Sequence, residues 1–148
     1  MQIKFHYILI LLFSFWGISL FAQNNSLEVQ FNKTLTPEQR KAYKDEIQKN
    51  SQKIRENPGN YIYYLRRGVA YSNLGLNPDA ITDYNKVIKI KPDVPEAYYN
   101  RGVARARFRY TKISCQDIKK AADLGLDNAV VLYQKKCQLY FKDLGDIK

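Results

Sequence analysis

A 34-residue pattern is written twice in succession between residues 61 and 128, and this repeat constrains the fold more than any other feature. Eight positions are identical between the two copies, and the run Gly68-Val69-Ala70 returns as Gly102-Val103-Ala104. Apolar residues follow each run at helical spacing. A fixed period of this length predicts stacked helix–turn–helix units. The other identical pairs are Tyr64/Tyr98, Arg67/Arg101, Asp83/Asp117, Lys86/Lys120 and Asp93/Asp127.

The glycine in the first copy predicts a close contact between two helices. Glycine inside a helix costs about 1 kcal/mol relative to alanine, so Gly68 requires a compensating gain. We expect a second helix to approach it through the small side chain of Ala80. Tyrosine rings at positions 64, 71 and 84 would supply broad apolar surfaces around this contact. Pro92 would then end the second helix.

These residues resemble the signature of the tetratricopeptide repeat family, which combines aromatic, small and proline positions. The signature residues are Tyr64, Gly68, Tyr71, Ala80, Tyr84 and Pro92 in the first copy, with Tyr98 and Gly102 in the second. The resemblance implies an all-α, α-α solenoid of antiparallel helix pairs. It also implies that the leading helix of each pair faces a groove for peptides.

The second copy departs from this signature at four positions. Arg105 stands where the first copy has Tyr71, and Arg109 replaces Gly75. Ser114 and Ile118 replace Ala80 and Tyr84. We expect the second copy to keep its helices but to pack differently, since terminal repeats of such arrays are commonly atypical.

Start and stop signals predict two full repeats between two capping helices. Thr36-Pro37-Glu38-Gln39 combines a capping threonine, a first-turn proline and a capping-box glutamine. The polar helix that follows, to Glu56, predicts an N-terminal cap. Asn77 and Asp127 are predicted N-caps, and Gly125 is predicted to be left-handed. The remaining predicted helices span 61–74, 78–90, 95–108, 112–124 and 128–142.

The first 22 residues have the features of an export signal. Lys4 precedes an apolar run from Tyr7 to Phe21, and Ala22 offers a small residue for cleavage. We expect a cleaved signal peptide at 1–22, with an uncleaved anchor as the alternative, and a periplasmic or secreted protein of a bacterial envelope. A flexible leader at 23–35, a helical domain at 36–142 and a tail at 143–148 complete the predicted organisation.

Two cysteines, Cys115 and Cys137, lie at equal distances from the predicted turn at Leu126. Residues equidistant from the turn of an antiparallel hairpin lie at the same height, so a disulfide is favoured if the two side chains face each other. Two free cysteines filling apolar space are the alternative. The segment also resembles the closing unit of short exported bacterial repeat proteins, in which such a pair recurs.

The residue inventory argues against an enzyme. The single histidine, His6, lies in the predicted signal, which leaves no Ser-His-Asp or Cys-His pair and no imidazole metal ligand in the remainder. No glycine-rich phosphate loop follows a predicted strand. Most carboxylates fall at helix starts or on helix surfaces. We therefore expect no catalytic residues, no metal and no cofactor.

By the family resemblance, the candidate groove lies on the two leading helices. Its predicted residues are Leu65, Arg66, Val69 and Asn73 of the first copy and Tyr99, Asn100, Val103 and Arg107 of the second. Arg66, Asn100 and Arg107 are donors suited to an acidic side chain or a peptide carboxylate. The alternative is an ordinary solvated surface without a defined peptide site.

The formal net charge of +10 raises other hypotheses about partners. Arg101, Arg105 and Lys112 share roughly one face of the second repeat, which suggests an anionic envelope polymer or membrane surface as the partner. Nucleic acid is disfavoured, because an exported protein rarely meets it. A third hypothesis is self-association of the short array. The interpretation favoured by the sequence remains a protein-interaction module or scaffold that binds a peptide or a subunit.

Overall fold

The computed structural model describes residues 35–144, which form helices joined by short turns, with no strand in that range. The helices are α1 (Pro37–Glu56), α2 (Tyr61–Asn73), α3 (Asn77–Ile90), α4 (Pro95–Arg105), α5 (Lys112–Asp123) and α6 (Asp127–Leu132). A π-helical turn, Tyr133–Cys137, and a 3-10 segment, Gln138–Leu144, follow. The predicted signal peptide and most of the predicted leader and tail lie outside the described residues. None of the helices described is long and apolar enough to cross a membrane.

Each helix packs against the next one in the chain, which is the arrangement of an α-α solenoid. Helices α2 and α3 form the first pair, and α4 and α5 form the second. The first pair is flanked by α1, and the second by α6 with the π-helical turn. The predicted TPR-like solenoid of two repeats between capping helices is confirmed.

The two mid-helix glycines mark the closest approach within each pair. A Cβ atom placed on Gly68 would lie 2.7 Å from the buried ring of Tyr84. On Gly102 it would lie 2.9 Å from both Ile118 Cγ1 and the Ser114 carbonyl oxygen. The expected contact is thus made, although Tyr84, rather than Ala80, is the nearest neighbour of Gly68.

Two turns use glycine in the same way. Gly75 has φ 78° and Gly125 has φ 88°, the left-handed conformation predicted for Gly125. In each turn the amide of the leucine after the glycine donates a hydrogen bond to a carbonyl in the last turn of the helix. Leu76 donates to the Tyr71 carbonyl at 2.9 Å, and Leu126 donates to the Ala121 carbonyl at 3.1 Å. This is the pattern of a Schellman motif, which satisfies the last carbonyls of the helix.

The turn that lacks glycine is longer, and it corrects one predicted boundary. Helix α4 ends at Arg105, whereas the sequence predicted that it would continue to Phe108. Arg109 occupies the place of the turn glycine, and a positive φ there would be sterically costly. No described residue other than glycine has a positive φ. The chain therefore leaves the helix early and turns over residues 106–110.

Two predicted N-caps are wrong by one position, while α5 carries a cap that was not predicted. Asn77 and Asp127 are the first residues of their helices and not the caps. At α5, the Ser114 amide donates to Thr111 Oγ1 at 3.2 Å, and the Thr111 amide donates to Ser114 Oγ at 2.8 Å. This reciprocal pair fixes the start of α5 at Lys112. Ser114 thus completes the capping box of Thr111, at the position where the first repeat has Ala80.

The last helix is not continuous from 128 to 142 as the sequence predicted. Its α-helical part ends at Leu132, and the π-helical turn contains Cys137. Cys137 is fully buried and is joined to Cys115 by a disulfide, with 5.3 Å between the Cα atoms. A π-helical turn contains an extra residue, which rotates the side chains that follow. The π-helical turn therefore lies where the disulfide joins the C-terminal segment to α5.

Candidate functional site

Each repeat contains a buried ion pair between its two helices. Arg67 Nε and Nη2 donate to the carboxylate of Asp83 at 2.8 and 2.7 Å. Arg101 Nε and Nη2 donate to Asp117 at 2.9 and 2.6 Å. This bidentate geometry pairs a guanidinium fork with both carboxylate oxygens. The repeat in the sequence contains these identical residues, and the sequence analysis placed Arg101 on a basic face, but it did not predict the two ion pairs.

The same arginines also reach the helix that precedes their own repeat. Arg67 Nη1 donates to Ser51 Oγ at 3.0 Å, and Arg101 Nη1 donates to Asn85 Oδ1 at 2.7 Å. Positions 51 and 85 are one repeat length apart. Each arginine therefore connects three successive helices. We call the sets Ser51–Arg67–Asp83 and Asn85–Arg101–Asp117 the first and second arginine joints.

The surroundings of the two joints differ. In the first, the Arg67 guanidinium lies 5.8 Å from the ring centroid of Tyr64 and 5.9 Å from that of Tyr71. The hydrogen bond to Asp83 raises the pKa of Arg67, so this side chain stays charged. In the second, Arg105 replaces the second ring and donates to Asp117 Oδ2 at 2.6 Å.

These contacts correct the predicted basic face. Arg101 and Arg105 are half-buried and share the carboxylate of Asp117. Asp117 therefore offsets one of these two positive charges, and the two arginines contribute less positive charge to the surface than the sequence suggested. Lys112, the third predicted member, is exposed at the start of α5.

The predicted groove residues lie mainly on α2 and α4, two helices that contact each other. Arg66, Val69 and Asn73 are exposed on α2, and Val103 is exposed on α4. Leu65, Tyr99 and Asn100 are half-buried. Arg107 is exposed but lies beyond the end of α4, so it belongs to the turn and not to the helix face.

Two of these groove residues are also core residues. Leu65 packs against the buried cluster that contains Tyr84, and Tyr99 packs against the cluster that contains Cys115. The Asn73 amide donates to the Val69 carbonyl at 3.0 Å, so part of its donor capacity is used within α2. The apolar surface left open consists of Ile62, Val69 and Val103, whose exposed fractions are 38%, 37% and 38%.

A second concave surface lies between the α4–α5 turn and the C-terminal segment. This cavity of about 540 Å³, which we call the basic cleft, is lined by Arg109, Tyr110, Thr111, Lys112, Lys136 and Tyr140. The Tyr140 hydroxyl donates to the Tyr110 carbonyl at 2.7 Å and closes one wall. Burial, followed by the influence of Tyr99, raises the pKa of Tyr110. The sequence pattern could not show that Lys136 returns to this turn.

Within residues 35–144, no group of three or more histidine, cysteine, aspartate or glutamate side chains is placed to hold a metal ion. The described polar clusters are instead the two arginine joints and the basic cleft.

Comparison with known families identifies the repeat. Residues 68–107 match the family described as TPR repeat, a stretch that begins at the glycine of the first pair and covers α3 and α4. The match and the helix pairing together support classification of this region as a tetratricopeptide repeat.

Two related proteins match a longer part of the chain. The chain is 31% identical over 108 residues to the small glutamine-rich tetratricopeptide repeat-containing protein 2 of Saccharomyces cerevisiae, covering 73% of this chain and 30% of that protein. It is 30% identical over 86 residues to the STIP1 homolog of Dictyostelium discoideum, covering 58% of this chain and 14% of that protein. The chain thus spans less than a third of either relative.

A solved structure has a similar fold. The Arabidopsis OM64 TPR domain aligns with a TM-score of 0.60 and 26% sequence identity. The alignment covers 64% of this chain and 80% of that domain. The likeness extends over most of the described helices.

Proposed function

We propose that this chain is a non-enzymatic protein-interaction module that holds a peptide segment of a partner against the face formed by α2 and α4. The observation that carries the proposal is the exposure of Val69 and Val103. These valines stand at equivalent positions of the two repeats, on helices in contact, and each is more than a third exposed. Apolar side chains repeated on an open face are suited to binding rather than to folding.

The polar residues around these valines indicate the chemistry of the peptide. Arg66 is exposed one turn before Val69, and Asn100 is half-buried one turn before Val103. A segment with an apolar side chain over the valines and an acidic group near Arg66 would match this surface. The similarity to tetratricopeptide repeat proteins supports an interaction role, and the partner is a matter for experiment.

We also propose that the protein works outside the cytoplasm, in the periplasm or as a secreted protein of a bacterial envelope. The apolar segment after Lys4 supports an export signal. The Cys115–Cys137 bridge supports an oxidising compartment. Cell fractionation with N-terminal sequencing tests this proposal. A chain that starts at Met1 and remains in the cytoplasm would contradict it.

The groove is tested by selecting peptides from a random library on the full-length chain and measuring their affinity by fluorescence anisotropy. We expect Val103→Asp and Val69→Asp to weaken the selected peptides by about tenfold or more, because a buried apolar contact is replaced by a desolvated charge. Val131→Asp is the matched control, since Val131 is equally apolar and 49% exposed but lies on α6.

Two results would overturn the groove. One is that the selected peptides bind all three variants with the affinity of the wild type, which would place their site elsewhere. Alternatively, binding that falls by orders of magnitude between 50 and 200 mM salt would identify a polyanion interaction instead, because such binding depends on counterion release. An apolar contact would lose far less over this range.

A further inference from the structure

Three cations meet in the basic cleft from three separate segments. Arg109 comes from the α4–α5 turn, Lys112 from the first turn of α5, and Lys136 from the π-helical turn. Among the side chains described, no carboxylate lines this cavity of about 540 Å³. The positive charges are therefore gathered on one concave surface.

These cations differ from Arg101 and Arg105 in that no described side chain supplies them with a counter-charge. Arg101 and Arg105 are both paired with Asp117. Among the side chains that the structure describes, none forms an ion pair with Arg109, Lys112 or Lys136. A cavity lined by one sign of charge focuses the field and concentrates anions.

The cleft is held in shape before any ligand binds. Lys112 precedes Cys115 by one helical turn, and Lys136 is the neighbour of Cys137, so the disulfide fixes the distance between the backbones that carry the two lysines. The hydrogen bond from Tyr140 to the Tyr110 carbonyl joins the same two segments on the other side. A preformed site avoids much of the entropy cost of ordering.

We propose that the basic cleft binds a phosphate group. A guanidinium and two ammonium groups supply charge-assisted donors from different directions, as a tetrahedral oxyanion requires. The start of α5 lies in the same wall, where the helix dipole also favours negative charge. This site is separate from the proposed peptide face on α2 and α4.

Exposed apolar residues next to the cleft residues in the sequence favour a lipid headgroup, rather than a soluble phosphate ester, as the source of the phosphate group. Phe108, Ile113 and Leu139 are 99%, 61% and 73% exposed, and each adjoins a residue of the cleft in the sequence. Exposed apolar side chains beside cations are the combination that associates with an anionic lipid interface.

The test measures binding of inorganic phosphate and of dihexanoyl phosphatidic acid, kept below its micelle concentration, to the full-length chain by calorimetry at constant ionic strength. We expect saturable binding of the short-chain lipid. Lys112→Gln and Lys136→Gln should each weaken it by about tenfold, because each removes one charge-assisted hydrogen bond. Lys135→Gln is the matched control, since it removes the same charge from a neighbouring exposed residue outside the cleft.

The two probes distinguish a lipid headgroup from a soluble phosphate as the source of the phosphate group. Tighter binding of the lipid than of inorganic phosphate, with the difference removed by Phe108→Ser, supports a headgroup. Equal binding of both probes, with the same dependence on Lys112 and Lys136, supports the phosphate site with a soluble ligand. Absence of saturable binding to both probes would overturn the proposal, as would equal losses in Lys135→Gln and Lys136→Gln. Circular dichroism of each variant confirms that the fold is retained.

Discussion

Both arginine joints lie beside a tyrosine ring, but the first repeat adds a second ring, whereas the second repeat adds another charge and contains the disulfide. Arg67 lies near two tyrosine rings, and Tyr84 fills the space beside Gly68. In the second repeat, Arg105 adds a second ion pair to Asp117, and the smaller Ile118 lies beside the glycine. Both repeats nevertheless bring their helices together at the same position.

The comparison of the two repeats distinguishes residues that are the same in both copies from apolar core residues that differ between them. The glycine and the arginine–aspartate pair are the same in both copies, because the close helix approach and the bidentate geometry depend on them. The apolar positions vary, since packing tolerates different shapes when the volume is filled. The disulfide lies in the repeat that has arginine and isoleucine where the first has Tyr71 and Tyr84.

The largest loss of stability is expected when the aspartate of either arginine joint is replaced. Asp117→Asn should lower the free energy of unfolding by about 4 kcal/mol and Asp83→Asn by about 3 kcal/mol, since removing one partner of a buried pair leaves charge uncompensated. Asp117 accepts from two arginines and Asp83 from one. Urea denaturation measures both. A larger loss in Asp83→Asn would show that the first joint, with its rings, is the more important.

Removal of the disulfide should affect the second repeat selectively. The Cys115→Ala/Cys137→Ala variant should lose about 3 kcal/mol, the loop-closure entropy of a bridge with this separation. Hydrogen exchange should increase first in α5 and α6 and leave α2 and α3 protected. Wild-type protein in reducing agent is the control. Uniform loss of protection would mean that the repeats unfold as one unit.

Alanine at the two glycines compares the tightness of the two helix pairs. Gly102→Ala should cost about 2 kcal/mol and Gly68→Ala about 1 kcal/mol, because overpacking outweighs the gain in helix propensity. At Gly102 the new Cβ would meet a backbone carbonyl, whereas at Gly68 it would meet a side-chain ring. Thermal unfolding of the two variants tests the order, and the reverse order would contradict it.

The smallest expected effect is the pH dependence that Tyr84 contributes in the first repeat. Burial raises the pKa of Tyr84 well above its ordinary value of 10.0. The phenol is neutral in both states below pH 10, but above it only the unfolded chain ionises readily, so stability falls as pH rises. At pH 11 the loss should be about 1 kcal/mol. Tyr84→Phe should remove this part of the alkaline loss, and identical pH profiles would contradict the prediction.

The fold was predictable because its signals are local and repeated. Pro37, Pro92 and Gly125 mark boundaries that the structure confirms to within a residue or two. The 34-residue period predicted both helix pairs. The early end of α4 could have been anticipated from Arg109, which cannot easily adopt the conformation of the turn glycine that it replaces.

The rest depended on contacts between distant segments. Nothing near Arg105 shows that it shares the carboxylate of Asp117 with Arg101, and nothing near Lys136 shows that it returns to the α4–α5 turn. The change to a π-helical turn at Tyr133 also has no periodic signal in the sequence. Sequence reasoning therefore placed the helices well, but it misassigned the basic face and did not find the cleft.

Because of the arginine joints, a further copy of the 34-residue block could be added to the array with its interhelical contacts intact. The first block, residues 61–94, presents Asn85 as the acceptor for the arginine that comes next, Arg101, and supplies Arg67 to Ser51 of the helix before it. A tandem copy of residues 61–94 inserted after Val94 would thus arrive with both halves of a new joint already in place. Lengthening by duplication would need no compensating mutation at the seam, whereas an insertion of one or two residues inside a helix would misalign the connections on both sides.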